Sequence, residues 1–500
     1  MPNQQLLDYI KQQLEQGIDR EQIRQTLLNN GWQNVDIESA FSEISGIKPP
    51  KAERKWKKVL LTTIIGLVAA VVVIFFSFPY ILNLFAKDIP PIDDSDLQLQ
   101  KVYVPENENA YYDLIKLKDV VYEPSDRFQT ISDMIKGKIW DEALARELIS
   151  KNAKTFEYFS QAAQKPRFQD PALADPAKIT PSVEIPNLAS WRSATRLTVL
   201  KAFDLQRQGK TSEALDELEK VLEISKKINN SQANTLELLT ALDIESQILE
   251  SIQKVISSSR LDNTQLKQRI QKLGEYGENR TSFISALLKS EYKDSSFYMD
   301  SFTKLRNGEN VKYSLPEFSE EELEKLKNKL SDPVGKYYFQ PNKTKRLVAE
   351  FAREQIKNAE SICYNQNSKS EMIKNRFPNN QVSAFFRENL IGETLASLLM
   401  LQLQVAFNKK CLNDTIFSAT QTLIAIKAYK NDTGNYPASL NDLVPNYLTS
   451  LPKDPFDGKP LKYSASKKII YSVGPDGQDS GGSSGDNLRE MPDPTLQIEF

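Results

Sequence analysis

Residues 59–86 read VLLTTIIGLVAAVVVIFFSFPYILNLFA, with no charged side chain among them. At about 1.5 Å of rise per residue, a helix of this length crosses the ~30 Å hydrocarbon layer of a bilayer. The run is too long for a secretory signal and follows a long polar stretch. Pro79 near its far end permits a kink without forbidding the span. Lys48, Lys51, Arg54, Lys55, Lys57 and Lys58 precede it, and Asp88, Asp93, Asp94 and Asp96 follow it. The excess of cations before the span predicts a cytoplasmic N-terminus and an extracytoplasmic bulk. Trp56 and Tyr80 suit the two membrane interfaces.

The charge balance excludes some functions. Across 500 residues, 64 Lys and Arg face 66 Asp and Glu, so no global field draws nucleic acid. Histidine is absent, which removes histidine triads, proton shuttles and histidine metal ligands. No P-loop, nucleophile elbow or metal-ligand cluster is written in the chain. Carboxylates such as Glu213, Asp216 and Glu217 read as the wet face of a helix. The chain is therefore expected not to be an enzyme. Cys363 and Cys411 are its two cysteines, and both follow the span, where disulfides persist. They either close a loop worth roughly 4 kcal/mol or remain two separate buried thiols.

Before the span, residues 1–46 read as a three-helix module, and residues 47–58 as a basic linker. Leu6, Leu7, Ile10 and Leu14 recur at helical spacing up to Gly17. Asp19 opens a second helix that ends at Asn30-Gly31. Trp32 follows, then a helix carrying Val35, Ile37, Ala40, Phe41 and Ile44. The stretch REQIRQTLLNNGWQNVDIESAF resembles ubiquitin-associated-type three-helix domains, with Gly31-Trp32 in the place of that family's Gly-Phe loop. The resemblance implies a peptide-docking face near Trp32. A bundle packing only on itself is the alternative.

After the span, Pro90, Pro91 and the aspartates suggest an acidic stalk over 87–100. Residues 101–412 then read as an irregular helical array. One helix is expected over 140–164, ended by Pro166, then a Pro-rich loop. Residues 193–227 give a helical hairpin turning at Gly209, and LKAFDLQRQGKTSEALDELEKVLEI looks like one tetratricopeptide-type pair. Such a pair needs stacked neighbours to bury its face. Further helices are expected over 233–257, 264–290, 319–330, 342–361 and 380–408. The last is rich in Leu and Met and is assigned to a protein core.

Residues 413–481 read as a small α+β module, with 482–500 as a tail. Asp414 is placed to cap a helix ending before Gly434. A short helix over 439–444 follows, then a hairpin of 461–464 with 468–473. The order Gly434-x-Tyr436-Pro437, Asp454-Pro455-Phe456-Asp457-Gly458 and Tyr471-Ser472-x-Gly474-x-Asp476-Gly477 resembles the C-terminal half of the major pseudopilin of type II secretion systems. The resemblance departs in one respect: the membrane run lies far upstream of the module and lacks the prepilin processing pattern, which argues against filament formation. Residues 145–164 (ARELISKNAKTFEYFSQAAQ) and the hairpin over 193–222 are similar to uncharacterised bacterial envelope proteins that end in the same module. The pseudopilin resemblance implies calcium in the loop after the last strand, held by the Val473 carbonyl with Asp476, Asp479 and Asp486. The alternative for that loop is a flexible Gly/Ser/Asp stretch with no ion. The whole predicts a mainly α, single-span envelope protein with protein partners, drawn from a secretion or pilus-like system. A transmembrane scaffold or sensor whose array binds a peptide is the alternative.

Overall fold

The computed structural model describes residues 3–46, 63, 65–74, 77, 81, 84, 87–175, 188–277, 282–311, 319–359, 363, 387–483 and 493–500. The chain is mainly helical and divides into two compact units, Met1–Ile81 and Leu82–Phe500.

In the first unit, α1 (Gln4–Glu15), α2 (Arg20–Asn29) and α3 (Asn34–Ile44) surround Leu6, Ile10, Ile23, Leu27, Ile37 and Phe41. The Asn3 and Asp19 side chains accept backbone N–H groups at the starts of α1 and α2. Helix α4 (Ile65–Ile74) is apolar, and its Ile65, Leu67, Val68, Val71, Val73 and Ile74 are all exposed.

The second unit begins with the acidic segment, which is no free stalk. The Asp94 carboxylate accepts the Tyr292 O–H at 2.7 Å. Arg353 donates to both Asp96 oxygens, at 2.9 and 2.7 Å. Asp88 accepts the backbone N–H groups of Asn342 and Lys343, at 2.8 and 3.0 Å. Sequence reading missed this docking because its partners lie more than 190 residues away along the chain.

Short helices α5 (Tyr111–Leu114), α6 (Leu117–Val120) and α7 (Phe128–Ile135) follow. The helix expected over 140–164 is two helices, α8 (Glu142–Lys151) and α9 (Ala153–Gln164). They break at Asn152, whose buried amide takes the Tyr122 N–H and donates back to the Tyr122 carbonyl, both at 2.8 Å. The side chain completes a backbone pair that a continuous helix would leave unmade. The hairpin stands as expected, with α10 (Leu188–Arg207) and α11 (Thr211–Asn229) joined at Gly209, whose φ of 79° needs glycine. Next come α12 (Thr235–Ser258), α13 (Asn263–Gly277), α14 (Ser282–Arg306), α15 (Glu320–Ser331), α16 (Pro333–Tyr338) and α17 (Pro341–Lys357). The pattern over 264–290 thus belongs to two helices, because α13 ends at Gly277.

Helix α18 (Leu390–Thr433) joins the expected helices over 380–408 and 414–429 into one element of 44 residues. The boundary drawn between 412 and 413 falls inside it. Asp414 is not a cap: it lies mid-helix and pairs with Lys410 one turn before. Residues 380–386 of the expected 380–408 helix lie outside the described residues. Among the described residues, α18 is the one helix long and apolar enough to cross a membrane. Its side chains instead build the core. Phe407, Cys411, Ile416, Leu423 and Ile424 are buried in one cluster with α12 residues. Lys409 pairs with Asp243 of α12 at 2.9 Å. Gly434 ends α18 at φ 75°, as its sequence position predicts.

Beyond it, residues 440–443 form a 3-10 turn in place of the expected short helix. Strands β1 (Lys462–Ser464) and β2 (Ile469–Tyr471) form the expected antiparallel hairpin. A third strand, β3 (Thr495–Gln497), pairs antiparallel on β2. The segment read as a tail therefore completes the sheet.

Candidate functional site

Two clefts run along α11. The first, of about 430 Å³, lies between α9, α11 and α13. Leu222, Leu273 and Tyr276 form its buried floor. Its rim is an ion-pair network: Arg269 reaches Asp216 at 2.7 Å and Glu219 at 2.8 Å, and Lys272 reaches Glu219 at 2.9 Å. These contacts hold the Asp216 carboxyl below its usual range, although burial opposes them. Of the carboxylates expected on a wet helix face, Glu213 and Asp216 are exposed and Glu217 is half-buried; Glu217 pairs with Lys201 of α10 at 2.9 Å and, within α11, with Lys220 at 2.7 Å. The period of α11 gives their position, whereas their cross-helix partners, Lys201, Arg269 and Lys272, come from α10 and α13.

The second cleft, of about 410 Å³, lies farther along α11, between residues 102–104, 166–169 and the end of that helix. Lys227 projects here and donates to the Ala163 carbonyl at the end of α9. Burial pushes its ammonium down. The exposed Glu223 lines both clefts. The arrangement offers an apolar floor with fixed charges at its edge. Asp216, Glu219 and Lys272 on the first rim are ion-paired, which leaves Glu223 as the exposed carboxylate common to both clefts.

The other expected site residues are dispersed. Trp32 is half-buried against the core of the first unit. Cys363 and Cys411 form a disulfide with Cα atoms 5.8 Å apart, which decides between the two readings of that pair. In the C-terminal loop, Asp476 accepts the Gln478 N–H at 3.0 Å and Asp479 accepts the Gly481 N–H at 3.1 Å. Each carboxylate thus closes a turn of its own. Val473 is buried, and its N–H goes to Asp454 at 2.8 Å. Asp486 lies outside the described residues. Among the described residues, no group of three Cys, Asp or Glu side chains is placed to hold a metal ion.

Two buried carboxylates that the sequence did not single out as site residues organise this end. Asp454 also accepts the Phe456 N–H at 2.9 Å and the Ser472 O–H at 2.8 Å, and burial pushes its carboxyl up. Asp493 accepts the Ser480 and Gly482 N–H groups, at 2.8 and 3.0 Å. The Asp454-Pro455 turn was a legible signal for the first. Asp493 carries no sequence signal, because it lies in the segment expected to be a tail, two residues before β3.

No protein-family model, curated protein or solved structure matches this chain.

Proposed function

We propose that the chain is a membrane-anchored, extracytoplasmic structural or interaction protein, accessory to a type II secretion or type IV pilus-like system. The observation that carries the anchoring is α4. Its apolar side chains are exposed, an arrangement stable in lipid and costly in water. Residues 59–86 form the span in this reading, with the N-terminus in the cytoplasm. The flanking charges support that orientation, and so does the Cys363–Cys411 disulfide in the region placed outside. The pseudopilin-like order of residues over 434–477 supports the secretion partner. Single-cysteine reporters at residues 20 and 150 test the topology with a membrane-impermeant maleimide. Labelling of 150 in intact cells, and of 20 only after lysis, is expected. The reverse pattern overturns the reading. In-cell crosslinking tests the partner, with charge reversals at the exposed Lys459 and Asp476. Loss of secretion or pilus components from the crosslinked set is expected.

Calcium in the 473–486 loop belongs to the same proposal. A melting temperature raised by calcium and restored by chelation supports it. No shift overturns it and leaves the loop to the turns closed by Asp476 and Asp479 and to Asp493.

The paired clefts favour a second reading, a transmembrane scaffold or sensor whose array binds a peptide. Glu223→Lys alters both clefts without touching the core, and partners lost through that change alone would put this reading first.

A further inference from the structure

Asp170 and Glu237 are fully buried, and each leaves one oxygen without a partner. Asp170 Oδ1 accepts the Ala172 N–H at 2.8 Å, and its Oδ2 has no partner. Glu237 Oε2 accepts the Asn234 N–H at 2.9 Å, and its Oε1 has none. The two residues belong to segments that touch: Gln169 donates its amide N–H to the Gln232 carbonyl at 3.3 Å. Two buried carboxylates on touching segments, each acting on the other's charge, are costly to keep ionised together. One proton between the two orphan oxygens satisfies both, since a carboxylic acid donates and a carboxylate accepts.

We propose that Asp170 and Glu237 share a single proton, forming an acid clasp that holds the 169–173 loop on the N-terminus of α12 and loosens as pH rises. Burial and then the Asp170 charge push the Glu237 carboxyl up to about 8, in keeping with this arrangement. Burial pushes Asp170 up as well. The charged groups facing the pair come from α14. Lys293 favours ionisation of both, and its ammonium also lies 2.8 Å from Asp294. Glu291 beside it is itself pushed up by burial. On the loop, Asp175 pairs away with Lys101 at 3.2 Å. Gln169 and Gln232, on either side of the clasp, line the 410 Å³ cleft, so loosening the clasp frees one wall of it. The clasp stands whether or not that cleft takes a peptide.

The folded chain keeps a proton that the unfolded chain releases in the ordinary carboxylate range. Stability is therefore full in mild acid, falls as pH rises towards about 8, and is level beyond. Thermal and denaturant unfolding of the full-length chain in detergent, from about pH 5 to about pH 9, reads this directly. The wild-type unfolding constant is expected to rise up to about tenfold per pH unit within that window, the signature of one proton. Glu237→Gln and Asp170→Asn supply an N–H donor in place of the proton and are expected to lose that slope. The proposal is overturned if the slope persists in both variants. It is also overturned if calcium added near pH 8 stabilises the wild type and neither variant, since a cation would then hold the pair. Should neither variant fold, infrared spectroscopy of the wild type decides. A carboxylic-acid carbonyl band present at neutral pH and lost towards about pH 9 supports the clasp, and its absence overturns it.

Discussion

Lys427 sits on α18 with its ammonium enclosed by the last carbonyls of α12. It donates to Ile256 at 2.5 Å, Ser257 at 3.0 Å and Ser259 at 2.9 Å, and it is almost fully buried. A cation at a helix C-terminus meets both the orphan carbonyls and the negative end of the dipole. Lys427→Met keeps the volume and strands those carbonyls. A loss of about 3 kcal/mol is expected in urea unfolding, and a loss well under 1 kcal/mol would show that water replaces the ammonium. The Cys363–Cys411 bridge closes a separation of 48 residues. Replacing both with alanine is expected to cost roughly 4 kcal/mol in the chain-entropy model. Reduction of the wild type should give a similar drop in melting temperature. Neither role was fully legible. The sequence gives Lys427 as one polar residue on an apolar helix, and it cannot bring the two sulfurs together.

At the scale of elements, the acidic segment and α18 depart most from their local appearance. Asp88 meets two N–H groups in the first turn of α17, as a capping residue does, but from far away in the chain. Asp88→Ala is expected to cost about 1 kcal/mol, the usual value of a helix cap. The clearer readout is limited proteolysis, with faster cleavage inside 87–100 and unchanged cleavage elsewhere. Helix α18 looks like two helices in sequence because Lys409, Lys410, Asn413 and Asp414 interrupt its apolar run. The fold answers these groups one by one. Lys409 reaches Asp243, and the Asn413 amide reaches the Leu242 carbonyl at 3.1 Å and Ser246 at 2.8 Å. Lys410 and Asp414 pair within α18, so residues that read as a boundary are contacts between helices or along one. The hairpin at Gly209 was legible because its signals, a glycine turn and two apolar stripes, are local.

Across the second unit, α18 makes the C-terminal module inseparable from the helical array. Ile416, Leu423, Ile424 and Ile470 belong to the same buried cluster as Trp191 and Leu249. Removal of residues 413–500 is therefore expected to abolish cooperative unfolding of the whole unit, as seen by circular dichroism, and not to leave a folded array. A sharp residual transition would show that the array stands alone. Partner mapping accordingly needs surface substitutions in place of truncation.

The sequence by itself determined the helical character, the apolar run over 59–86, the hairpin at Gly209, the Gly434 stop and the β1–β2 hairpin. Each is set by nearest neighbours, through periodicity, chain flexibility or the absence of charge. Only the tertiary structure decided which polar groups lost their water. It brought the 169–173 loop to the segment before α12, closed the disulfide, docked the acidic segment and added β3 to the sheet. Those outcomes depend on contacts between segments far apart in the chain, where burial gives a single oxygen or ammonium its energetic weight.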